Sequence, residues 1–262
     1  MEIILDNLCY KSKKIEENLN NISYTFKQGI NFVNGIDALL IKDLLFQIKK
    51  SKEGFIALDK KGKQYDISYI SKENEHFKNN LYEEIEFLNK KYRLNYKNID
   101  KRIKDALKMI NLDVTYMSEE FALMSDNELK LTNLAIALIL NSKIIMLDYF
   151  EKGMPDDKIN YIKKLLLKLN KMYNKNIIIF SDDLNSYLNI INNIVIFKEG
   201  NIVFSGNNKD LYKDDLYKYI DEPNIISFIK YLNSKNHHLD NYIDLKELLK
   251  AIYRDVENKW DI

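Results

Sequence analysis

Residues 144–183 have the sequence IIMLDYFEKGMPDDKINYIKKLLLKLNKMYNKNIIIFSDD, and this stretch decides the fold class. Two continuous apolar runs, 144–147 and 177–180, flank an amphipathic segment at 158–173. Apolar strands on either side of a helix are typical of a parallel βαβ unit that is covered on both faces. Both runs end in acids, Asp148 and Asp182-Asp183, at the edge where open α/β sheets bind ligands. The stretch therefore predicts an α/β fold with a ligand site after these strands.

The remaining strands are predicted from short alternating or apolar runs. Runs at 2–5, 22–26 and 30–33 predict an antiparallel β layer, and two more strands are expected at 55–58 and 67–70. A hairpin is expected between 194 and 204, because two apolar runs flank the turn residues Lys198-Glu199-Gly200-Asn201.

Helices are predicted where apolar residues recur at three- and four-residue steps. From Asp37 onward, one helical face carries Leu39, Leu40, Leu44, Leu45 and Ile48. Further helices are expected at 81–111 and 127–140, and a polar helical tail follows Gly206.

Composition excludes several classes of protein. With 40 Lys+Arg and 39 Asp+Glu, the formal charge is +1, so we expect no nucleic-acid partner. A single Cys9 excludes a disulfide framework and fits a reducing compartment. No apolar run approaches the roughly 18 residues that a transmembrane helix needs. The chain has 7 Gly and 2 Pro, which leaves few positions for a glycine-rich phosphate loop.

Several segments resemble, in order and spacing, the motifs of an ATP-binding cassette. They are Tyr10 (the adenine-stacking aromatic), 33–45 (Walker A), 81–87 (the segment after the Q-loop), 123–128 (the signature motif), 134–137 (the helix after it), 144–148 (Walker B) and 177–183 (the switch-histidine strand). Each match is weak by itself, but their shared order and spacing along the chain are specific for this family. Segment 81–87 and the tail at 221–248 resemble the energy-coupling-factor (ECF, CbiO-like) branch.

The resemblance covers nearly the whole chain and implies an architecture and partners. It implies the P-loop fold of ATP-binding cassettes, with an antiparallel β layer, a parallel-sheet core, a helical subdomain at about 72–140 and a nucleotide-binding domain spanning 1–215. A small C-terminal helical domain is expected at 216–262. The implied partners are a second cassette subunit, expected as a heterodimer, and the transmembrane T component of an ECF transporter. The implied location is cytoplasmic, on the inner face of the cell membrane.

ATP and Mg²⁺ are the implied ligands if nucleotide binding is retained, but the Walker A positions depart from the motif. Gly35 keeps the first glycine, whereas the two later glycines correspond to Ala38 and Leu40. The phosphate-binding lysine corresponds to Ile41, and the two hydroxyl positions carry Lys42 and Asp43. Bulky residues disfavour the positive φ that a phosphate-binding nest requires. The alternative is a plain strand–turn–helix packing element.

The other motifs are altered as well. Walker B keeps its magnesium-associated acid as Asp148, but Tyr149 occupies the position of the catalytic glutamate. A phenol with a pKa near 10 is a poor general base at neutral pH. Ser181 occupies the switch-histidine position. Ser71 corresponds to the Q-loop glutamine, and Pro155 to the D-loop acid.

Two candidate binding residues also have ordinary structural explanations. Ser125 survives from the signature motif, but Asp126 and Asn127 replace its glycines, and Ser125 or Asp126 could simply cap the following helix. Tyr10 could be an ordinary strand aromatic.

Three functional interpretations follow. The leading one is a catalytically degenerate ECF-type cassette that acts as the structural and coupling partner of a competent cassette. The second is a weakly active ATPase with slipped motifs, in which Lys42 serves as the phosphate lysine and an acid such as Glu151 as the base. The third is a scaffold or regulatory protein outside transport.

Overall fold

The computed structural model describes residues 1–11, 18–71 and 73–260. Within these ranges the strands are β1 (Ile3–Lys11), β2 (Asn18–Phe26), β3 (Ile30–Asn34), β4 (Glu53–Leu58), β5 (Ile67–Ile70), β6 (Ile144–Asp148), β7 (Asn176–Phe180), β8 (Asn193–Lys198) and β9 (Asn201–Asn207). They form a six-stranded sheet in the order β5-β6-β7-β3-β8-β9 and a three-stranded sheet in the order β2-β1-β4.

The helices in the same ranges are α1 (Leu40–Leu45), α2 (Leu81–Lys91), α3 (Ile99–Met109), α4 (Asp126–Ile139), α5 (Asp156–Tyr173), α6 (Leu184–Tyr187), α7 (Asn224–Ser234) and α8 (Leu245–Trp260). None of the helices in the described part of the chain is long and apolar enough to cross a bilayer.

The predicted βαβ unit forms the centre of the large sheet. Strands β6 and β7 pair in parallel with Ile145 opposite Ile177, and α5 connects them. Every residue of β7 is buried, and so are the first four of β6. The sheet is therefore covered on both faces, as the continuous apolar runs predict.

The antiparallel layer differs from the prediction in one strand. The run at 30–33 lies in the parallel sheet as β3, between β7 and β8, and β4 supplies the third strand of the antiparallel layer. The first four residues of β3 are all buried, whereas burial along β2 is interrupted by exposed positions. A strand buried on both faces belongs in the parallel core. The hairpin of β8 and β9 is observed as predicted.

The predicted helix at 81–111 is two helices, α2 and α3. Between them, Arg93 and Asn95 have positive φ values of 52° and 58°, which no α-helix contains. The Asn89 side chain accepts a hydrogen bond from the Tyr96 amide at 3.0 Å and so holds the turn.

The helix expected from Asp37 onward is short. A 3₁₀ turn at Ile36–Leu39 leads into α1, and Gln47 has a φ of 59° that stops the helix. Ile48 was predicted on the buried face but is 68% exposed, because it lies beyond this end.

The C-terminal tail contains α7 and α8, which pack around a small apolar cluster of Ile229, Leu239 and Leu248. The domain boundary at 215/216 stays a prediction, and residues 261–262 of the expected C-terminal domain lie outside the described residues, as does residue 72 of the expected helical subdomain.

Gly35 links the parallel core to the turn before α1, and its lack of a side chain is required there. Its φ is +108°, and an added Cβ would lie 2.1 Å from the backbone oxygen of Phe197 on β8. Any side chain would therefore push the turn away from the β8–β9 hairpin.

We expect Gly35→Ala to lower the free energy of unfolding by about 3 kcal/mol. The alanine would have to adopt an unfavourable positive φ, and the backbone at Phe197 would have to move to make room for its Cβ. Gly153→Ala is the matched control: its φ is +76°, but a Cβ would meet only side-chain atoms at 3.8 Å or beyond. It should cost about 1 kcal/mol. Urea unfolding measures both, and equal losses would contradict the close contact with Phe197.

Candidate functional site

An open cleft of about 1370 Å³ lies beside the carboxyl ends of β5 and β6. Its walls include Ile36 and Lys42 from the turn and helix after β3, and Tyr69 from β5. Phe77 and Lys91 border it on the side of α2, and Asp148 also lines it. The cleft therefore lies at the sheet edge where the sequence predicts a ligand site.

The Walker A segment is a closed turn rather than an open loop of amides. The Ala38 N–H donates to the Gly35 carbonyl at 3.1 Å, and the Leu40 N–H donates to the Asp37 carbonyl. Ala38 and Ile41 are both fully buried. The residue at the lysine position thus packs in the apolar core, away from the cleft.

Asp37 fastens this turn to the β8–β9 hairpin. Its carboxylate accepts a hydrogen bond from the Gly200 N–H at 2.9 Å, and both residues are buried. The Gly200 carbonyl in turn accepts from the Asn20 N–H at 2.8 Å. Sequence analysis missed this role, since Asp37 occupies a variable position of the Walker A pattern.

Lys42 and Asp43, at the two hydroxyl positions, are paired with protein groups. The Lys42 Nζ lies 3.1 Å from Asp43 Oδ1, and the Lys49 Nζ lies 3.0 Å from Asp43 Oδ2. Lys42 also lies over the Tyr69 ring, 4.7 Å from its centroid. Lys49 lies over Tyr10, 5.6 Å from that centroid. The proposed adenine-stacking ring therefore has a lysine over one face.

Asp148 contacts Tyr69, which the sequence analysis did not select. The Tyr69 hydroxyl donates a hydrogen bond to Asp148 Oδ2. Asp148 Oδ1 is buried and has no hydrogen-bond partner within the described part of the chain. Burial raises the pKa of the Asp148 carboxyl, and the Tyr69 hydrogen bond and the Lys42 charge oppose that rise. Burial and the nearby carboxylate also raise the pKa of Tyr69.

These contacts join into one continuous path. It runs through Tyr10, Lys49, Asp43, Lys42, Tyr69 and Asp148, and we call it the cleft network. It brings together the predicted residues Tyr10, Lys42, Asp43 and Asp148. Alternation along β5 places Tyr69 on the same face as Ile67, and both line the cleft.

A divalent cation would find few ligands in this network. Both oxygens of Asp43 face lysine ammonium groups, and one oxygen of Asp148 accepts from Tyr69. Residues 1–11, 18–71 and 73–260 contain no group of three or more His, Cys, Asp or Glu side chains that could hold a metal ion. Mg²⁺ prefers six oxygen ligands in nearly ideal octahedral geometry. In this network only Asp148 Oδ1 lacks a protein partner among the described residues. The groups present therefore do not fit Mg²⁺.

Tyr149, at the catalytic-glutamate position, is held in a left-handed conformation. Its φ is 42°, and its N–H donates to the Phe180 carbonyl at 2.9 Å. The Lys152 Nζ lies 4.0 Å from its ring centroid and 3.0 Å from Asp182 Oδ2. Burial raises the pKa of the Tyr149 phenol, so the phenolate that could accept a proton is scarcer still at neutral pH.

Ser181, at the switch-histidine position, is hydrogen-bonded to a buried acid. Its hydroxyl donates to Glu151 Oε1 at 2.6 Å, and the Tyr187 hydroxyl donates to Glu151 Oε2 at 3.0 Å. All three residues are buried. Burial raises the pKa of the Glu151 carboxyl, and the hydrogen bonds from Ser181 and Tyr187 oppose the rise.

A second feature that sequence analysis missed is Lys130 of α4. This buried lysine donates to the carbonyl of Tyr149 at 3.0 Å and to that of Lys152 at 2.8 Å. Asn127 on the same helix donates to the Gly153 carbonyl at 2.5 Å. Helix α4 thus fixes the loop that follows Walker B. Lys130 lies within a helix among apolar residues, and its sequence neighbours give no signal of this contact.

Ser125 is the N-cap of α4. Its hydroxyl accepts from the Glu128 N–H at 3.4 Å, and the Glu128 carboxylate accepts from the Ser125 N–H at 2.7 Å. This is a capping box, so the structural explanation of Ser125 accounts for its contacts. Ser71 is buried, and its carbonyl accepts from Asn133 of α4 at 3.1 Å. Neither residue belongs to the cleft network.

Comparison with known proteins supports the resemblance read from the sequence. No protein-family model matches the chain. PH0132 of Pyrococcus horikoshii, named as an ABC transporter ATP-binding protein, is 24% identical over 252 residues, covering 89% of this chain and 93% of that protein. The energy-coupling factor transporter ATP-binding protein EcfA2 of Staphylococcus epidermidis is 23% identical over 200 residues, which are 76% of this chain and 63% of that protein.

Solved structures show the same architecture. CbiO1 of Clostridium perfringens, described as part of the ABC transporter complex CbiONQ, superposes with a TM-score of 0.64 at 21% identity, covering 82% of this chain and 92% of its own. The dimeric ABC transporter cassette MJ0796 superposes with a TM-score of 0.66 at 18% identity, and the match covers 79% of this chain and 98% of MJ0796. The chain therefore has the ATP-binding-cassette fold, as predicted. Its relatives are ATP-binding proteins of ABC transporters, those of ECF transporters among them.

We expect Glu151→Gln to change the pH dependence of stability. The pKa of the folded carboxyl lies above its ordinary value of 4.5, so the folded state holds this proton more tightly than the unfolded state. The wild-type protein therefore loses stability as the pH rises from about 4.5 through the raised pKa. The glutamine variant lacks this loss, and the difference in unfolding free energy should move in its favour with rising pH.

Glu128→Gln is the control of opposite sign. Hydrogen bonds from Tyr116 and Ser125 lower the pKa of Glu128, so its contribution is present above the ordinary pKa and is lost as the pH falls. Urea unfolding between pH 4 and pH 8 compares the three proteins. A pH-independent difference between wild type and Glu151→Gln would contradict the proposed burial of the carboxyl.

Proposed function

We propose that this chain is a cassette subunit of an ECF-type ABC transporter that has given up nucleotide turnover and acts as the structural and coupling partner of a competent cassette. One observation carries the proposal. In the cleft network the Walker A side chains Lys42 and Asp43 pair with each other, and the Walker B acid Asp148 accepts from Tyr69. The residue at the lysine position, Ile41, packs in the core.

The requirements of phosphate binding explain why this arrangement counts against ATP. A triphosphate needs free backbone N–H groups and a cation aimed at its oxygens. Here the Ala38 and Leu40 amides are used inside the turn, and the side chain of Asp43 would add a negative charge beside the phosphates. We therefore derive no chemical step through ATP or Mg²⁺ in this chain.

The altered motifs also indicate where the partner is needed. In cassettes that resemble this chain, each nucleotide site joins the Walker motifs of one subunit to the signature of the other. Both contributions are altered here, and Ser125 is occupied as a helix cap. We infer that a heterodimer with a competent cassette is the functional unit, docked on a transmembrane T component at the cytoplasmic face of the membrane. The names of the ECF relatives support this partner class.

The slipped-motif ATPase gains no support from the contacts. Lys42 is engaged by Asp43 and the Tyr69 ring. Glu151 is 9% exposed, and both of its oxygens accept hydrogen bonds from buried hydroxyls. A base for the attacking water has to face the substrate. ATP turnover by the purified chain that is lost in Lys42→Ala would establish this alternative instead.

The direct test is calorimetric titration of the purified chain with ATP, with and without Mg²⁺. We expect no binding heat, and a change of less than about 1 °C in melting temperature at millimolar ATP, since stabilisation scales with ligand concentration over Kd. A cassette that retains the Walker A lysine and glycines is the positive control. Micromolar binding, or a Mg²⁺-dependent thermal shift that Asp148→Ala removes, would overturn the proposal.

A second experiment tests the partner. Co-expression with a competent ECF cassette and a T component should give a stable complex in which ATP turnover depends on the Walker A lysine of the competent subunit alone. Lys42→Ala in this chain should leave that turnover unchanged within about twofold, which would correspond to less than about 0.4 kcal/mol in the barrier. Failure to assemble, with the chain folded, would favour a scaffold outside transport.

A further inference from the structure

We infer that the Lys42 ammonium is the resident cation of the cleft and takes the electrostatic place that a bound metal ion has in nucleotide-binding members of this fold. The inference deepens the proposed function and rests on it. Its test uses neither nucleotide nor partner, so the two can fail separately.

The first observation is the convergence of acidic and phenolic oxygens near the cleft. Asp148 and Asp43 both line it, together with Tyr69. Tyr69 donates its only hydroxyl proton to Asp148 Oδ2, which leaves Asp148 Oδ1 buried without a hydrogen-bond partner in the described residues. A buried carboxylate oxygen in this state is costly unless a positive charge lies close by.

The second observation is the position of Lys42. Its Nζ contacts Asp43 at 3.1 Å and lies 4.7 Å from the centroid of the ring whose hydroxyl binds Asp148. It thus pairs with Asp43 while it lies over the face of the phenol that donates to Asp148.

Lys49 provides a comparison within the same network. It contacts the other oxygen of Asp43 at 3.0 Å, with a similar side-chain exposure of 25%. Its Nζ lies over Tyr10, toward the antiparallel layer, whereas Lys42 lies over Tyr69, toward Asp148. If position decides the role, removal of Lys42 should take a positive charge from the neighbourhood of Asp148, and removal of Lys49 should not.

The prediction is that Lys42→Met creates a requirement for a divalent cation. Without the ammonium, Asp43 keeps Lys49 on Oδ2 and Asp148 keeps Tyr69 on Oδ2, while Asp43 Oδ1 loses its ion pair and Asp148 Oδ1 stays without a hydrogen-bond partner in the described residues. Carboxylate oxygens of this kind are ligands that Mg²⁺ prefers. The test is thermal unfolding of the full chain in EDTA and in 10 mM Mg²⁺, with NaCl added to match ionic strength. The comparison includes Lys42→Met, Lys49→Met, Lys42→Arg and the double variant Lys42→Met/Asp148→Asn.

We expect Mg²⁺ to change the melting temperature of the wild type, Lys49→Met and Lys42→Arg by less than about 1 °C. Lys42→Met should melt lower in EDTA and recover by about 3 °C in Mg²⁺, as a site with a millimolar Kd would give in a chain of this size. The double variant should lose the response. If Lys42→Met does not fold in EDTA, recovery of folding in Mg²⁺ supports the inference, and failure in both overturns it.

Two other results would overturn the inference. One is a Mg²⁺ response of the wild type equal to that of Lys42→Met, which would mean that a metal site is already open. The other is a folded Lys42→Met whose response does not exceed that of Lys49→Met. ATP binding in the calorimetric test, with a wild type that ignores Mg²⁺ alone, would overturn the proposed function and leave this inference standing.

Discussion

The parallel pairing of β6, β7 and β3 is the interaction on which the rest of the structure depends. Its central residues, such as Ile145, Ile177 and Phe32, are fully excluded from water, and burial of that apolar surface is the main source of stability in a domain of this size. The pairing also fixes where β3 and β6 end. The turn after β3 and Asp148 at the end of β6 therefore meet at one edge, whatever side chains they carry.

This separation between framework and site explains how a cassette fold can persist without a recognisable nucleotide loop. The framework needs only apolar residues of suitable size at the strand and helix positions. Ala38, Leu40 and Ile41 satisfy that need as turn and helix residues, and all three are buried. Most polar groups left at the edge then pair with one another, because a buried carboxylate or phenol without a partner is unfavourable. Asp148 Oδ1 is the exception in the described residues.

Sequence patterns predicted the βαβ unit, the hairpin, α4 and α5, because each rests on a local period of apolar residues. They placed the run at 30–33 in the wrong sheet, since pairing partners come from 177–180 and 193–196, far along the chain. They also merged α2 and α3, whose separation depends on left-handed Arg93 and Asn95. In the candidate site, Lys42, Asp43 and Asp148 were found through motif spacing. Tyr69 and Lys49 were not, because only the folded chain brings β5 and the end of α1 together.

The buried position of Ile41 limits what a single substitution there can do. A single Ile41→Lys change would place an ammonium group in an apolar cluster, where an unpaired charge is costly. The turn is held in place by the hydrogen bond from the Gly200 N–H to the Asp37 carboxylate. The Phe197 carbonyl also leaves no room for a side chain at Gly35. A substitution at position 41 alone therefore leaves the turn closed, with the Ala38 and Leu40 N–H groups still bonded inside it.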